Sequence, residues 1–187
     1  QLIIKTLNLE KMENYKEIGS EIIEGGIFER FSELIPFVGD NYDNKNHSKL
    51  LLVAESNYFP NELESESNFK DAEKWDKEDK NRLIPEKIKE KVNNAGKIFY
   101  LKGLYNSMQK LLNTAQYDDI AFYNYFLRPA NNINGSKGFG DKNYYTDLDG
   151  EVAFSAFCGI LKEIKPNLVI FASKFSYDKM EYFRKKT

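Results

Sequence analysis

Cysteine, histidine and tryptophan each occur once in this 187-residue chain, as Cys158, His47 and Trp75. A lone cysteine forms no internal disulfide and cannot build a Cys-ligated metal site or iron–sulfur cluster. It favours a reducing compartment, so a cytoplasmic protein is expected. A lone histidine gives no multi-His metal centre and poor support to a Cys–His dyad. His47 lies in a polar run over residues 41–48 and reads as an exposed loop residue. No metal and no cofactor are implied. Long apolar runs are also missing: Leu2 to Ile4 is too short for a signal peptide, and no stretch approaches membrane-spanning length. No membrane partner is expected. Charge of one sign is not in excess either, since 27 basic and 29 acidic side chains leave a net charge of −2. That removes a global pull toward nucleic acid or membrane but leaves room for a local basic groove. Glycine is sparse, and Gly135, Gly138 and Gly140 are spaced for neither a phosphate-binding loop nor a dinucleotide fingerprint.

What the chain does contain is enough for one domain with a substantial core. Hydrophobic residues make up 41% and charged residues 30%, with 12 Tyr and 14 Phe, the balance of a globular protein. Residues 1–187 read as a single α/β domain. The chain does not begin with Met and ends abruptly, so a processed or truncated piece is expected.

Apolar positions over residues 9–34 recur at helical spacing, broken by Gly25-Gly26 and ended by Pro36, which predicts two helices. The run Leu50-Leu-Leu-Val-Ala54 is short, continuous and stops at Glu55, the pattern of a strand buried on both faces. Residues 61–80 are polar and aperiodic, and are expected to form a mobile insertion or lid. Charged residues 83–94 and amphipathic residues 98–112 read as helices. A second strand is expected over residues 119–127, ended by Arg128-Pro129, followed by a glycine-bearing loop over 130–143. A helix capped by Asp147 or Asp149 should run from about Gly150 to Ile164, and Lys165-Pro166-Asn167 should terminate it. A third strand over 168–172 and a helix over 177–184 complete the order. Strands alternating with helices predict an α/β fold, three-layer α/β/α, with a mainly parallel central sheet.

Open α/β sheets place their chemistry just beyond the carboxyl ends of the strands. Glu55, Ser56, Asn57 and Tyr58 leave the first strand there, with Ala54 immediately before them. Asn124 stands inside the second strand among aromatics. Its amide, when buried, needs partners, because an unpaired buried polar group costs on the order of 1–3 kcal/mol. It is therefore either a structural bridge or a ligand reader. Arg128, Lys137 and Lys174 are the cations placed to touch a nucleic-acid phosphate.

The three strand ends together resemble the uracil-DNA glycosylase superfamily, over about a quarter of the chain in three separate blocks. Ala54-Glu55-Ser56-Asn57-Tyr58 stands where the family carries G-Q-D-P-Y or G-E-A-P-G. Glu55 matches the acid of the second form and Tyr58 the aromatic of the first, while the Gly, Pro and Asp are absent. Asn124 matches the family's strand Asn, and Arg128-Pro129 is similar to an Arg-Pro that follows that strand in one branch. Residues 151–173 look like the family's helix-then-strand block, with Ala172-Ser173 in place of Leu-Gly. No match to the final His-Pro-Ser-Pro block exists. Either the chain stops before it or this is a divergent member.

The resemblance implies a uracil-DNA glycosylase-like fold and a DNA partner. It implies a pocket in which Asn124 reads a flipped base, Tyr58 walls it, and Glu55 orients water and stabilises the charge that develops on the sugar. Ala54, Ser56 and Asn57 would contribute to the same pocket. A second reading, from the missing histidine block, is a catalytically silent nucleic-acid or protein-binding module of this fold. A third is a small-molecule hydrolase with Ser56 as nucleophile, although the second glycine of a nucleophile elbow and a later histidine are both lacking.

Overall fold

The apolar run at residue 50 is the middle strand of a sheet in which three central strands are parallel. The computed structural model describes residues 3–5, 36–45, 48–58, 72–73, 119–130, 139 and 144–186. Within these, the strands are β1 (Ile3–Lys5), β2 (Phe37–Val38), β3 (Leu50–Tyr58), β4 (Ile120–Ala130) and β5 (Leu168–Phe171), and the helices α1 (Asp147–Ile164) and α2 (Lys174–Lys186). The sheet order is β1-β5-β3-β4-β2. β3 pairs in parallel with β4 on one side and β5 on the other. The short outer strands β1 and β2 run antiparallel to their neighbours, so the sheet is mixed. Neither edge strand is expected from the sequence, because each is too short to show a period. The expected helices over 9–34, 83–94 and 98–112, His47, Trp75, Lys137 and most of the 61–80 insertion lie outside the described residues.

Each face of the central strands carries its own core, which is why β3 reads as an unbroken apolar run rather than an alternating one. Leu51 and Val53 point toward α1 and α2 and join Ala121, Tyr123, Tyr125, Phe157, Phe171 and Met180. Leu50, Leu52 and Ala54 point to the opposite face, with Ile120, Phe122 and Ile170. Asn167 ties the starts of β3 and β5 together. Its side-chain oxygen accepts from Lys49 N–H at 3.0 Å, and its own N–H donates to the Lys49 carbonyl at 2.8 Å.

β4 continues through Arg128-Pro129 instead of ending there. The register explains how a proline fits. Ser56 pairs with Phe126 but Tyr58 pairs with Ala130, so two steps along β3 match four along β4. The extra residues form a bulge, the setting in which a strand tolerates a residue with no N–H. Alternation along β4 also breaks here: Phe126 and Leu127 both turn to the helix side.

α1 begins three residues earlier than its apolar pattern. Thr146 is the N-cap, accepting from Asp149 N–H, while Asp149 accepts in return from Thr146 N–H at 2.9 Å. This is a reciprocal capping box with Asp in the third helical position. Asp149 is thus a partner of the cap and not the cap itself. Lys165 closes the helix in the left-handed conformation, φ 46°, with Pro166 following, as the terminator predicts. At Gly150 a side chain would run into the Phe183 ring and the Tyr145 hydroxyl, so glycine lets α1 approach α2 closely.

Candidate functional site

The strand order reverses around β3. The chain steps from β3 to β4 on one side, then returns across β3 to place β5 on the other. The crevice at such a reversal, outside the carboxyl ends, is where open α/β sheets hold ligands. The reversal here falls between β3 and β5, and Glu55 stands two residues beyond Val53, the last β3 residue paired with β5.

Glu55 is half-buried on the helix side of β3. One carboxylate oxygen accepts from the Phe139 N–H at 3.1 Å. The other accepts from the Ser173 hydroxyl at 2.5 Å. Ser173 follows β5, and its hydroxyl also accepts from the Ser176 N–H at 3.4 Å, in the manner of an N-cap for α2. The carboxylate is thereby fixed by the chain after β4 and by the positive end of a helix. Carboxylate oxygens have lone pairs beyond those two bonds, so Glu55 keeps capacity to hold a water. Sequence reading finds Glu55 but misses Ser173 and Phe139, which lie 118 and 84 residues away. The one local signal for Ser173 is a polar residue directly after the apolar run of β5.

Asn124 is on the other face. Its neighbours Tyr123 and Tyr125 both enter the helix-side core, and it pairs in register with Ala54, which belongs to the opposite one. The expected hollow shared by Glu55 and Asn124 is therefore not formed at mid-sheet, because one-residue alternation sends the two side chains to opposite faces. Ser56 is 3% exposed, and its hydroxyl has no hydrogen-bond partner among the described residues. At that burial Ser56 is not presented to solvent as the expectation of a hydrolase nucleophile requires. Tyr58 and Asn57 continue β3, but their side chains lie outside the described residues.

Arg128 requires a second correction. Expected at a nucleic-acid surface, it is buried, with its ion pair to Asp149 showing 1% exposure on either side. The guanidinium meets both carboxylate oxygens, at 2.6 and 2.7 Å, and donates to the Tyr144 carbonyl at 2.8 Å. Its flat face lies 4.0 Å from the Tyr144 ring centre and 5.1 Å from that of Phe139. Tyr144 in turn donates its hydroxyl to the Pro129 carbonyl at 2.5 Å. This cluster joins the end of β4, the residues before α1 and the Phe139 amide that holds Glu55. Arg128 offers a phosphate nothing. Lys174 does remain exposed, paired with Asp178 one turn along α2.

Around the carboxylate the wall is aromatic. Phe126 stacks on Phe139 with centroids 4.4 Å apart, and Phe175 and Tyr145 stand at 5.7 and 5.9 Å from Phe126. Cys158 is buried in the helix-side core, where desolvation pushes its thiol well above the ordinary range and leaves it inert as a nucleophile. Among the described residues no group of acidic, cysteine or histidine side chains could hold a metal ion. No described helix is long and apolar enough to cross a membrane. No protein-family model matches the chain, and neither does any curated protein or solved structure.

Proposed function

We propose that this chain is a uracil-DNA glycosylase-like protein of three-layer α/β/α architecture. It binds DNA at the crevice between the carboxyl ends of β3 and β5 and hydrolyses the N-glycosidic bond of an extruded base there. The observation that carries the reading is the placement of Glu55: its carboxylate stands at the strand-order reversal, oriented by Ser173 and the Phe139 amide. Two of the three sequence blocks that resemble the family meet at that carboxylate. In this reading Glu55 orients water and offsets the positive charge that builds on the sugar as the bond breaks. Half-buried Phe175 and Tyr145 supply rings against which a flipped base stacks.

The separation of Glu55 from Asn124 favours a second reading, in which the same crevice binds nucleic acid without cutting it. One experiment separates the two. Uracil-containing oligonucleotides, single- and double-stranded, are incubated with the protein and treated with alkali to break the strand at abasic sites. The first reading expects strand breaks, reduced by about 100-fold or more in Glu55→Gln. Oligonucleotide binding with no abasic sites establishes the second reading instead.

A further inference from the structure

α2 leaves the Glu55 crevice carrying a stripe that runs on past Phe175, and neither packing nor the proposed chemistry accounts for this continuation. Ser176, Tyr177, Met180 and Phe183 form the buried side of this helix. Beside it Phe175, Lys179, Tyr182 and Lys186 recur at four, three and four residues, which sets them in one row, half-buried at Phe175 and Lys179 and exposed at Tyr182 and Lys186. The row alternates aromatic, lysine, aromatic, lysine over about 16 Å. The lysines lie against the rings. Lys179 Nζ is 3.9 Å from the Tyr145 ring centre, 5.5 Å from Phe175 and 5.9 Å from Tyr182. Lys186 Nζ is 4.3 Å from Tyr182.

The helix holds five basic and two acidic side chains. Both acids are already engaged, Asp178 with Lys174 and Glu181 with Arg184. Among the described residues no carboxylate lies within ion-pair distance of Lys179, so its charge is available to a partner. Lys186 is engaged first by the Tyr182 side chain and more weakly by Asp147 and Glu151, which makes Lys179 the more important of the two. An open cleft of about 550 Å³ flanks the far end, lined by Tyr177, Tyr182, Lys185 and Lys186 together with Asp178 and Glu181, the two acids that Lys174 and Arg184 already offset.

We infer that this stripe is a track for single-stranded nucleic acid, in which Lys179 and Lys186 meet successive phosphates while Tyr182 and Phe175 stack on bases. A row of cations interleaved with rings is the chemistry that grips a single strand without reading its sequence. A lipid surface calls instead for a continuous apolar face with lysines along its border. The near end of the row, Phe175, is two residues from Ser173, so a strand lying on it passes the Glu55 crevice. The inference rests on the DNA-binding part of the proposed function and not on base excision.

The test is fluorescence anisotropy with a labelled, uracil-free single-stranded oligonucleotide, titrated with the protein at several salt concentrations. Lys179→Gln should weaken binding about fivefold or more, and each lysine removed should flatten the log–log salt slope by about 0.7. Tyr182→Ala should weaken binding about fivefold with the slope retained, since stacking releases no counterions. Lys162→Gln, a change to an exposed lysine on α1, should bind as the parent does. Circular dichroism confirms that each variant is folded. The inference fails if the parent does not bind the oligonucleotide, if Lys162→Gln loses as much as Lys179→Gln, or if vesicles rich in anionic lipid capture the protein while the strand does not. Binding with these signatures but no abasic sites on uracil-containing DNA supports the track and removes only the excision chemistry.

Discussion

At the scale of single residues, the chain places two kinds of charge very differently. Glu55 stays half-exposed with two donors and free lone pairs, the condition of a group that can act on a ligand. Arg128 and Asp149 are both sealed off and saturate one another. Removing one partner of such a pair leaves an uncompensated buried charge, which destabilises by about 3–5 kcal/mol. Asp149→Ala also takes away the acceptor for Thr146, so it should sit at the upper end of that range. Replacing both residues with apolar ones of similar volume, Arg128→Met with Asp149→Leu, should cost less than either single change. Urea unfolding of the three variants measures this. A double variant as unstable as the worse single would mean that the pair contributes net stability beyond what its burial cost leaves. Sequence reading places Arg128 at a strand end, but burial is a property of the assembled fold. The same Arg-Pro dipeptide would mark a surface if β4 stopped where its propensity suggests.

Among the elements, α1 and β4 show how local signals and tertiary demands divide the work. The stop of α1 is fully local: Pro166 cannot continue the helix, and Lys165 takes the left-handed conformation that closes it. Its start is local too, although the residue that caps it is Thr146 and not one of the aspartates. Thr146→Ala should therefore cost about 1 kcal/mol, seen as a lowered urea midpoint with an unchanged slope. An equal loss in Asp147→Ala would point to charge at the helix start rather than the cap hydroxyl. β4 is the opposite case. Its pairing with β3 carries it past a proline, and the bulge this requires turns Phe126 toward the helices. That turn builds the aromatic wall beside Glu55, and no sequence period announces it.

For the molecule as a whole, the helix-side core is rich in tyrosine, and this fixes its response to alkali. Burial is the main cause that pushes the Tyr144 hydroxyl up to about 12 from an ordinary value near 10. Desolvation also raises Tyr42, Tyr123 and Tyr145. A tyrosine whose folded pKa exceeds its unfolded one stabilises the fold fully below the unfolded value. That contribution is lost as pH rises through the window from about 10 to about 12 for Tyr144. Stability to urea should hold level on the acid side of this window and fall steeply across it. The share of tyrosinate absorbance that belongs to these four hydroxyls should appear together with unfolding and not before it. Tyrosinate formation in the still-folded protein, complete before any loss of structure, would show these hydroxyls to be solvated.

The sequence by itself determined the β3, β4, α1, β5, α2 progression and singled out Glu55. Apolar run length, the helix stop and the abrupt polar strand exit are all encoded within a few neighbouring residues. Only the tertiary structure decided that Glu55 belongs with Ser173 and Phe139, that Asn124 faces away from it, and that Arg128 is buried. Each of those depends on which strands are neighbours and on the phase of side-chain alternation across a bulge. Pairing and phase are set when distant segments meet, and a one-residue shift in either reverses the face on which a side chain lies.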